Sequence, residues 1–145
     1  MRVEFFIPCE PTAKGRPRFT RNGHTYTPKT TRDAEELIRK AVVQAMAVNG
    51  VETIRGVPIA VRTDFLYSPL KSWSKRKLEM LERCEFFWKT TKPDVDNLKK
   101  LVLDAMNGLV YEDDALIAKS EETKRYCAGA AGVQITVWTL EEAME

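Results

Sequence analysis

The sequence predicts an α+β domain with two layers, in which helices pack on a small mixed sheet of about four strands. In four segments apolar residues alternate with polar ones or form short β-branched runs, and in two longer segments they recur at three- and four-residue steps. With 145 residues, of which 43% are hydrophobic and 30% charged, the chain fits one globular domain covering residues 1–145.

The predicted strands lie at both ends and in the middle of the chain. The first alternates Val3, Phe5 and Ile7 with residues that would face solvent. Pro58 near the start of the second is typical of a strand beginning or an edge strand, because proline has no N–H to donate. The connection between the last two strands contains two glycines and predicts an antiparallel hairpin. The later strands are expected at about 57–66, 116–126 and 133–140.

Two amphipathic helices are predicted between these strands. The first begins at Thr30 or Thr31, the second begins at Asp94 or Val95, and each ends at an Asn-Gly pair. One face of the second helix is apolar at the spacing that a buried helix requires. The residues of this face are Leu98, Leu101, Val102 and Ala105.

A long loop at about 8–30 is the most basic part of the chain. No acidic residue lies between Glu10 and Asp33. The basic side chains of this loop either contact a phosphate backbone or are simply solvated. The candidate DNA-binding residues are Lys14, Arg16, Arg18 and Arg21.

A polar insertion at about 68–92 interrupts the domain. It contains a short predicted helix that Ser72 or Ser74 would cap. Its aromatic residues either stack on exposed bases or anchor the insertion to the domain, and anchoring is the preferred interpretation. These aromatic residues are Trp73, Phe86, Phe87 and Trp88.

Two short acidic clusters flank the second predicted helix. Asp94 and Asp96 lie at its start, and Glu112, Asp113 and Asp114 follow its end. Mg²⁺ takes oxygen ligands and needs only one or two close carboxylates besides water and substrate phosphate. Acidic residues at a helix N-terminus also have an ordinary structural role, because they cap free N–H groups and complement the helix dipole. Two carboxylates at this spacing favour a metal site if the second cluster returns to the first.

The lengths of the intervening segments allow the clusters to meet. The helix 95–107 spans about 20 Å at roughly 1.5 Å per residue, and 108–113 spans about 20 Å when extended at roughly 3.3 Å per residue. We therefore predict that the chain reverses at Gly108 and returns along the helix. Because neighbouring side chains of an extended chain point apart, only one of Asp113 and Asp114 would face the site, while the other faces solvent or caps the next element.

Lys100 follows Asp96 by four residues and projects from the same side of the helix. It either forms an ordinary surface ion pair with Asp96 or places a cation near a scissile phosphate. Asp104 lies about 12 Å from Asp96 along the helix, at roughly 1.5 Å per residue. We expect it to pair with Lys100 at the surface rather than to ligate a metal.

These residues resemble a known family. The segments from Lys92 to Lys100 (KPDVDNLKK) and from Asn107 to Asp114 (NGLVYEDD) are similar to the acidic motif of the RusA-type Holliday-junction resolvases of bacteria and their prophages. The basic segment from Lys14 to Phe19 (KGRPRF) is similar to one in prophage-type members. The resemblance covers nearly the whole chain, although the polar insertion is longer than in compact members.

The resemblance implies a homodimeric endodeoxyribonuclease that needs Mg²⁺ or Mn²⁺ and cuts four-way junctions by paired symmetric nicks. It implies that Asp94, Asp96 and Asp114 are catalytic metal ligands and that Lys100 is a catalytic cation. A metal-bound water would be the nucleophile. A dimer with two sites would suit the twofold symmetry of the junction.

Two alternatives stay open beside this prediction. One is a Mg²⁺ nuclease acting on other branched DNA, and the other is a non-catalytic module that binds branched DNA. No signal-peptide pattern and no apolar run of about 20 residues is present, so we expect a cytoplasmic protein, bacterial or prophage-encoded, without a membrane partner. His24 is the only histidine and the three cysteines are widely spaced, so neither a zinc site nor a disulfide framework is expected.

Overall fold

The computed structural model describes residues 1–15, 18–26, 29–83 and 86–141. Within these ranges the chain forms seven strands, three α-helices and a short 3-10 turn at Asp114–Leu116. The strands are β1 (Arg2–Pro8), β2 (Arg18–Phe19), β3 (Thr25–Tyr26), β4 (Ile59–Tyr67), β5 (Phe87–Trp88), β6 (Ile117–Tyr126) and β7 (Gly132–Thr139). The helices are α1 (Lys29–Asn49), α2 (Lys75–Glu82) and α3 (Val95–Met106).

Five strands form a mixed sheet in the order β1-β7-β4-β6-β5. Strands β4 and β6 are parallel, and the other neighbours are antiparallel. The predicted α+β class and the mixed sheet are therefore confirmed. The strand beyond the four predicted ones is β5, which the polar insertion supplies at the edge of the sheet. A separate ribbon of β2 and β3 lies in the basic loop, where no regular structure was predicted.

The predicted hairpin of the last two strands is wrong. Both strands lie where they were expected, but β4 is inserted between β6 and β7. The connection at 127–131 crosses the end of β4, where the amide of Cys127 donates to the carbonyl of Tyr67 at 2.9 Å. Strand β4 is buried at seven of its nine positions, and such a strand is most stable in the centre of a sheet. Pro58 accordingly precedes a central strand and does not mark an edge.

Helices α1 and α3 pack side by side on one face of the sheet. Val3, Phe5 and Ile7 point into this layer, while the residues between them are exposed, as predicted. The predicted apolar face of α3 is also buried in this core. The other face of the sheet is left uncovered by α1 and α3 and carries paired polar residues such as Arg62 and Asp64.

The helix boundaries follow local sequence signals. The hydroxyl of Ser74 accepts from the amide of Lys77 at 3.2 Å and caps α2. Helix α3 begins after Asp94 and ends before Asn107, as predicted. Among the described residues, no helix has both the length and the apolar composition needed to cross a bilayer.

Candidate active site at the two ends of helix α3

The first acidic cluster lies at the N-terminal end of α3. Asp94 is the N-cap residue, and its backbone carbonyl accepts from the amides of Asn97 and Leu98, each at 3.1 Å. Its side chain makes no capping hydrogen bond within the described part of the chain. Asp96 follows in the first turn, with its side chain 65% exposed. Helix capping therefore does not explain the Asp94 carboxylate, and both acids are open to a ligand.

Lys100 lies beside this cluster. Its Nζ is 3.4 Å from Oδ2 of Asp96, and its side chain is 58% exposed. An exposed ion pair of this kind contributes only about 0.3–0.5 kcal/mol to stability. The contact fits both interpretations of Lys100, because the same pair also holds an ammonium group next to the acids.

The second acidic cluster lies at the opposite, C-terminal end of α3. Gly108 has φ +78° and its amide donates to the carbonyl of Tyr111 at 2.9 Å, so 107–111 closes a tight turn. A positive φ of this size suits glycine, which has no Cβ. Oδ1 of Asn107 then accepts from the amide of Asp114 at 3.0 Å. This bond fixes Asp114 to the end of the helix.

The prediction that the two clusters meet within one chain is therefore wrong. The segment after the turn pairs with Ile54: the amide of Ile54 donates to Val110 and the amide of Glu112 donates to Ile54, both at 2.9 Å. It is thus drawn toward the start of β4 and does not return along α3. Asp96 and Asn107 are about 16 Å apart along the axis, at roughly 1.5 Å per residue.

One protomer consequently does not assemble a three-carboxylate metal site. Across the ranges that the structure describes, no three His, Cys, Asp or Glu residues are grouped so as to hold a metal ion. In the same ranges, the acids at either end of α3 do not form such a group. The three predicted ligands Asp94, Asp96 and Asp114 fit one Mg²⁺ only if another chain brings the two ends together.

Asp113 and Asp114 have different roles in their turn. Oδ1 of Asp113 accepts from the amide of Ala115 at 3.0 Å, and this bond lowers the pKa of Asp113. The hydrogen bond between the two carboxyl groups raises the pKa of Asp114. The side chains do not point apart as predicted, because the extended stretch ends at Asp113 and Asp114 begins a 3-10 turn. One acid does cap the next element, as expected, and it is Asp113.

Sequence reasoning missed two residues that place Asp114. Asn107 was interpreted only as the end of a helix, although its side chain holds the Asp114 amide. Tyr111 is fully buried, and its hydroxyl donates to the carbonyl of Leu103 at 2.7 Å, which holds the turn against α3. Burial, together with nearby Asp114 and Asp104, raises the pKa of Tyr111. No sequence pattern identifies these contacts.

Lys14 lies against α3 and is already paired. Its amide donates to the carbonyl of Asn97 at 3.1 Å, its ammonium group donates to Asp104, and Nζ is 3.8 Å from Glu35. Asp104 therefore pairs with Lys14 and not with Lys100, contrary to the prediction. Lys14 ties the start of the basic loop to both helices of the core.

The remaining predicted DNA-binding residues lie further along the loop. Arg21 is exposed in the turn between β2 and β3, where the amide of Thr20 donates to the carbonyl of His24 at 2.8 Å. Arg16 lies outside the described residues, and so does the side chain of Arg18. Of the three arginines, Arg21 is thus the one whose side-chain exposure the structure describes.

Comparison with known proteins places this arrangement in a family. A family model described as Endodeoxyribonuclease RusA matches residues 8–138, which include both ends of α3. The chain belongs to the RusA endodeoxyribonuclease family. An uncharacterized relative in Bacillus subtilis (strain 168), YqaN, is 34% identical over 128 residues, which cover 86% of this chain and 87% of the relative. RusA membership implies an endodeoxyribonuclease that acts on Holliday junctions.

Proposed function

We propose that this RusA-family chain is a homodimeric, Mg²⁺-dependent nuclease that resolves four-way junctions by paired symmetric nicks. The observation that carries the proposal is the family match over residues 8–138, which spans an exposed pair of acids at the start of α3 that helix capping does not explain. Asp94, Asp96 and Asp114 act as metal ligands, and Lys100 acts as the cation beside them.

A second protomer supplies the part of the site that one protomer lacks. Asp96 and Asp114 lie at opposite ends of a rigid helix, so rotation of side chains does not join them. Two α3 helices packed antiparallel about a twofold axis place the N-terminal end of one beside the C-terminal end of the other. Each of two equivalent sites then combines Asp94 and Asp96 of one protomer with the partner's Asp114, and the sites are about 18 Å apart, at roughly 1.5 Å per helical residue.

The chemistry of the chain suits this assignment. Carboxylate oxygens are the ligands that Mg²⁺ takes together with substrate phosphate. When bound, the ion supplies a water of lowered pKa and offsets charge on the phosphoryl group. Lys100, whose Nζ is 3.4 Å from Asp96, supports the proposal because an ammonium group beside the metal ligands would stabilise the leaving oxygen.

A cleavage assay tests the proposal. The substrates are a fixed four-way junction, a mobile junction, a flap and a linear duplex, each with and without Mg²⁺. We expect symmetric nicks in the junctions only, dependent on Mg²⁺, and none with Asp96→Asn. Cutting of flaps in preference to junctions would favour a nuclease for other branched DNA. Tight junction binding without any cleavage in Mg²⁺ or Mn²⁺ would favour a non-catalytic module.

A further inference from the structure

The polar insertion at 68–92 leaves two aromatic side chains in solvent. Phe87 points inward and packs edge to face on Trp73, with ring centroids 5.5 Å apart. Its neighbours Phe86 and Trp88 are 46% and 59% exposed. This alternation is the two-residue period of a strand. Anchoring was the preferred interpretation for all four aromatic residues. It explains the inward pair, Trp73 and Phe87, and leaves the outward pair, Phe86 and Trp88, without a role.

The outward pair lies on the sheet face that α1 and α3 leave uncovered. Trp88 is the partner of Arg125 in the β5–β6 register, and the Arg125 guanidinium is 5.4 Å from the ring centroid of Phe86. The Phe86 and Trp88 rings meet edge to face with centroids 4.7 Å apart. An open cleft of about 290 Å³ beside Phe86 is lined by Leu66, Leu81, Glu82 and Arg125. Planar apolar surface and a cation are thus combined at one edge of the sheet.

The insertion that carries this pair is basic, although Lys77 and Lys89 lie over inward-facing aromatic rings. The insertion has seven basic residues and three acidic ones. Within the described ranges, none of the seven lies within 4 Å of a carboxylate. Arg125 is 4.0 Å from Asp64, which already accepts two hydrogen bonds from Arg62. A partner that carries many negative charges therefore fits this surface. The seven basic residues are Lys71, Lys75, Arg76, Lys77, Arg83, Lys89 and Lys92.

The aromatic pair is joined to the first acidic cluster by a short, braced segment. The ammonium group of Lys124 donates to the carbonyls of Thr91 and Pro93 at 2.6 and 2.7 Å, which holds this segment against β6. Asp94 follows Trp88 by six residues, so the two are at most about 20 Å apart. The acids lie on the α3 side of the sheet and the aromatic pair lies on the other side, so a nucleic-acid strand that contacts both must cross the sheet edge at β5.

We propose that Phe86 and Trp88 stack on unpaired bases of branched DNA next to the cleavage site. The inference rests on the proposed function, which places the DNA at Asp94. Aromatic stacking beside basic residues is the general way in which proteins hold unpaired strands, and it tolerates any sequence because every base has a π-face. A continuous duplex hides its base faces, so this surface favours branch points and frayed strands over duplex DNA.

Binding measurements on two variants and one matched control test the inference. Trp88→Ala and Phe86→Ala remove the two rings. Phe6→Ala is the control, because Phe6 is 44% exposed on β1, at the opposite edge of the same sheet. Affinities for a fluorescent oligo(dT) strand, a four-way junction and a linear duplex are measured by anisotropy in EDTA, where no cleavage occurs.

We expect Trp88→Ala to weaken oligo(dT) binding by about tenfold or more, as loss of one stacked base does. Phe86→Ala should weaken it in the same direction, and Trp88→Phe should retain most of the affinity. Duplex affinity should change by less than about twofold, and Phe6→Ala should change none of the three affinities. Thermal unfolding of each variant verifies that the fold is intact.

Three results would overturn the inference. One is unchanged oligo(dT) and junction affinity in both ring variants, and another is an equal loss on the duplex. The third is a shift from dimer to monomer in size-exclusion chromatography with unchanged DNA affinity, which would make the pair an interface between copies. Binding is measured without cleavage, so the two proposals are tested separately. A wild-type protein that fails to cut junctions would refute the proposed nuclease activity, and the affinities of the ring variants would still decide the stacking inference.

Discussion

The amide of Asp114 donates to the side-chain oxygen of Asn107 at 3.0 Å. This bond attaches Asp114 to the C-terminal end of α3, while Asp94 and Asp96 lie at the N-terminal end of the same helix. The family motif is thus divided by the full length of one helix. In the proposed nuclease these acids act together across two chains, and the bond itself should matter for catalysis.

Replacing Asn107 should impair cleavage more than stability. Asn107→Ala removes the acceptor that positions Asp114, and loss of one such hydrogen bond costs about 1 kcal/mol of unfolding free energy. We expect junction cleavage to fall at least tenfold with unchanged junction affinity. Cleavage rates and urea unfolding measure the two effects.

Asn49→Ala is the matched control for this variant. Asn49 also precedes a glycine at a helix end, and its side-chain amide donates to the carbonyl of Ala45 at 2.7 Å. It should lose similar stability and keep full cleavage. Equal cleavage by both variants would show that the Asn107 bond has only a structural role.

Mixed dimers should reveal whether each site is shared between protomers. Asp96→Asn and Asp114→Asn should each abolish cleavage alone. In a mixed dimer with shared sites, one site collects both defects and the other is intact, so total nicking should return to about half of the wild-type rate per dimer. If each protomer held a whole site, both sites of the mixed dimer would carry a defect and no nicking would return. Co-expression with two affinity tags isolates the mixed species.

The elements that the sequence predicts well are those that depend on neighbours along the chain. The stripe from Leu98 to Ala105 and the polar ends of α3 are local signals, and the helix begins and ends where they indicate. The order of the strands is not local. The hairpin prediction failed because β4 lies between β6 and β7. Only the burial of β4 on both faces indicates that it is a central strand.

The positions of the acids along the chain were predictable, and their geometry was not. Spacing and residue type predict acids at both ends of α3, while their role as metal ligands stays a prediction. Their separation depends on the bonds between Ile54 and the segment 110–112, which bring together residues more than 50 positions apart. The lengths of the helix and of the segment after it allow a return along α3. They do not show that this segment pairs with Ile54 instead.

Lys100→Ala should slow the chemical step without much effect on binding. Loss of one preorganised donor at a developing negative charge typically lowers kcat by about 100-fold. Single-turnover cleavage at saturating enzyme measures the chemical step separately from affinity. Lys40→Ala is the control, because Lys40 forms the same i,i+4 pair with Glu36 at 3.2 Å on α1. A Lys100→Ala rate equal to that of the control would leave Lys100 as a surface ion pair.

Lys14 should stabilise the fold at neutral and moderately alkaline pH, and this contribution should be lost at high pH. Its hydrogen bond to Asp104 raises the pKa of the Lys14 ammonium group above the ordinary value of 10.5. A raised pKa stabilises the fold at every pH below the ordinary value, and the contribution is lost as pH rises through the raised pKa. Lys14→Met should therefore reduce the unfolding free energy by at most about 1 kcal/mol at pH 7 to 9, and this difference should disappear as pH rises through the raised pKa. A difference that persists at high pH would assign the effect to packing of the side chain.

Arg21 should contribute to DNA affinity through phosphate contact. It is exposed in the β2–β3 turn, and no ion pair is found for it among the described residues. One lost phosphate contact reduces the slope of log affinity against log salt by about 1 and weakens all DNA sequences alike. Salt titrations of Arg21→Ala should show this change on junctions, whereas Arg2→Ala, at the far edge of the sheet and paired with Glu4 at 3.2 Å, should keep the wild-type slope. An unchanged slope for Arg21→Ala would place the DNA backbone away from the ribbon of the basic loop.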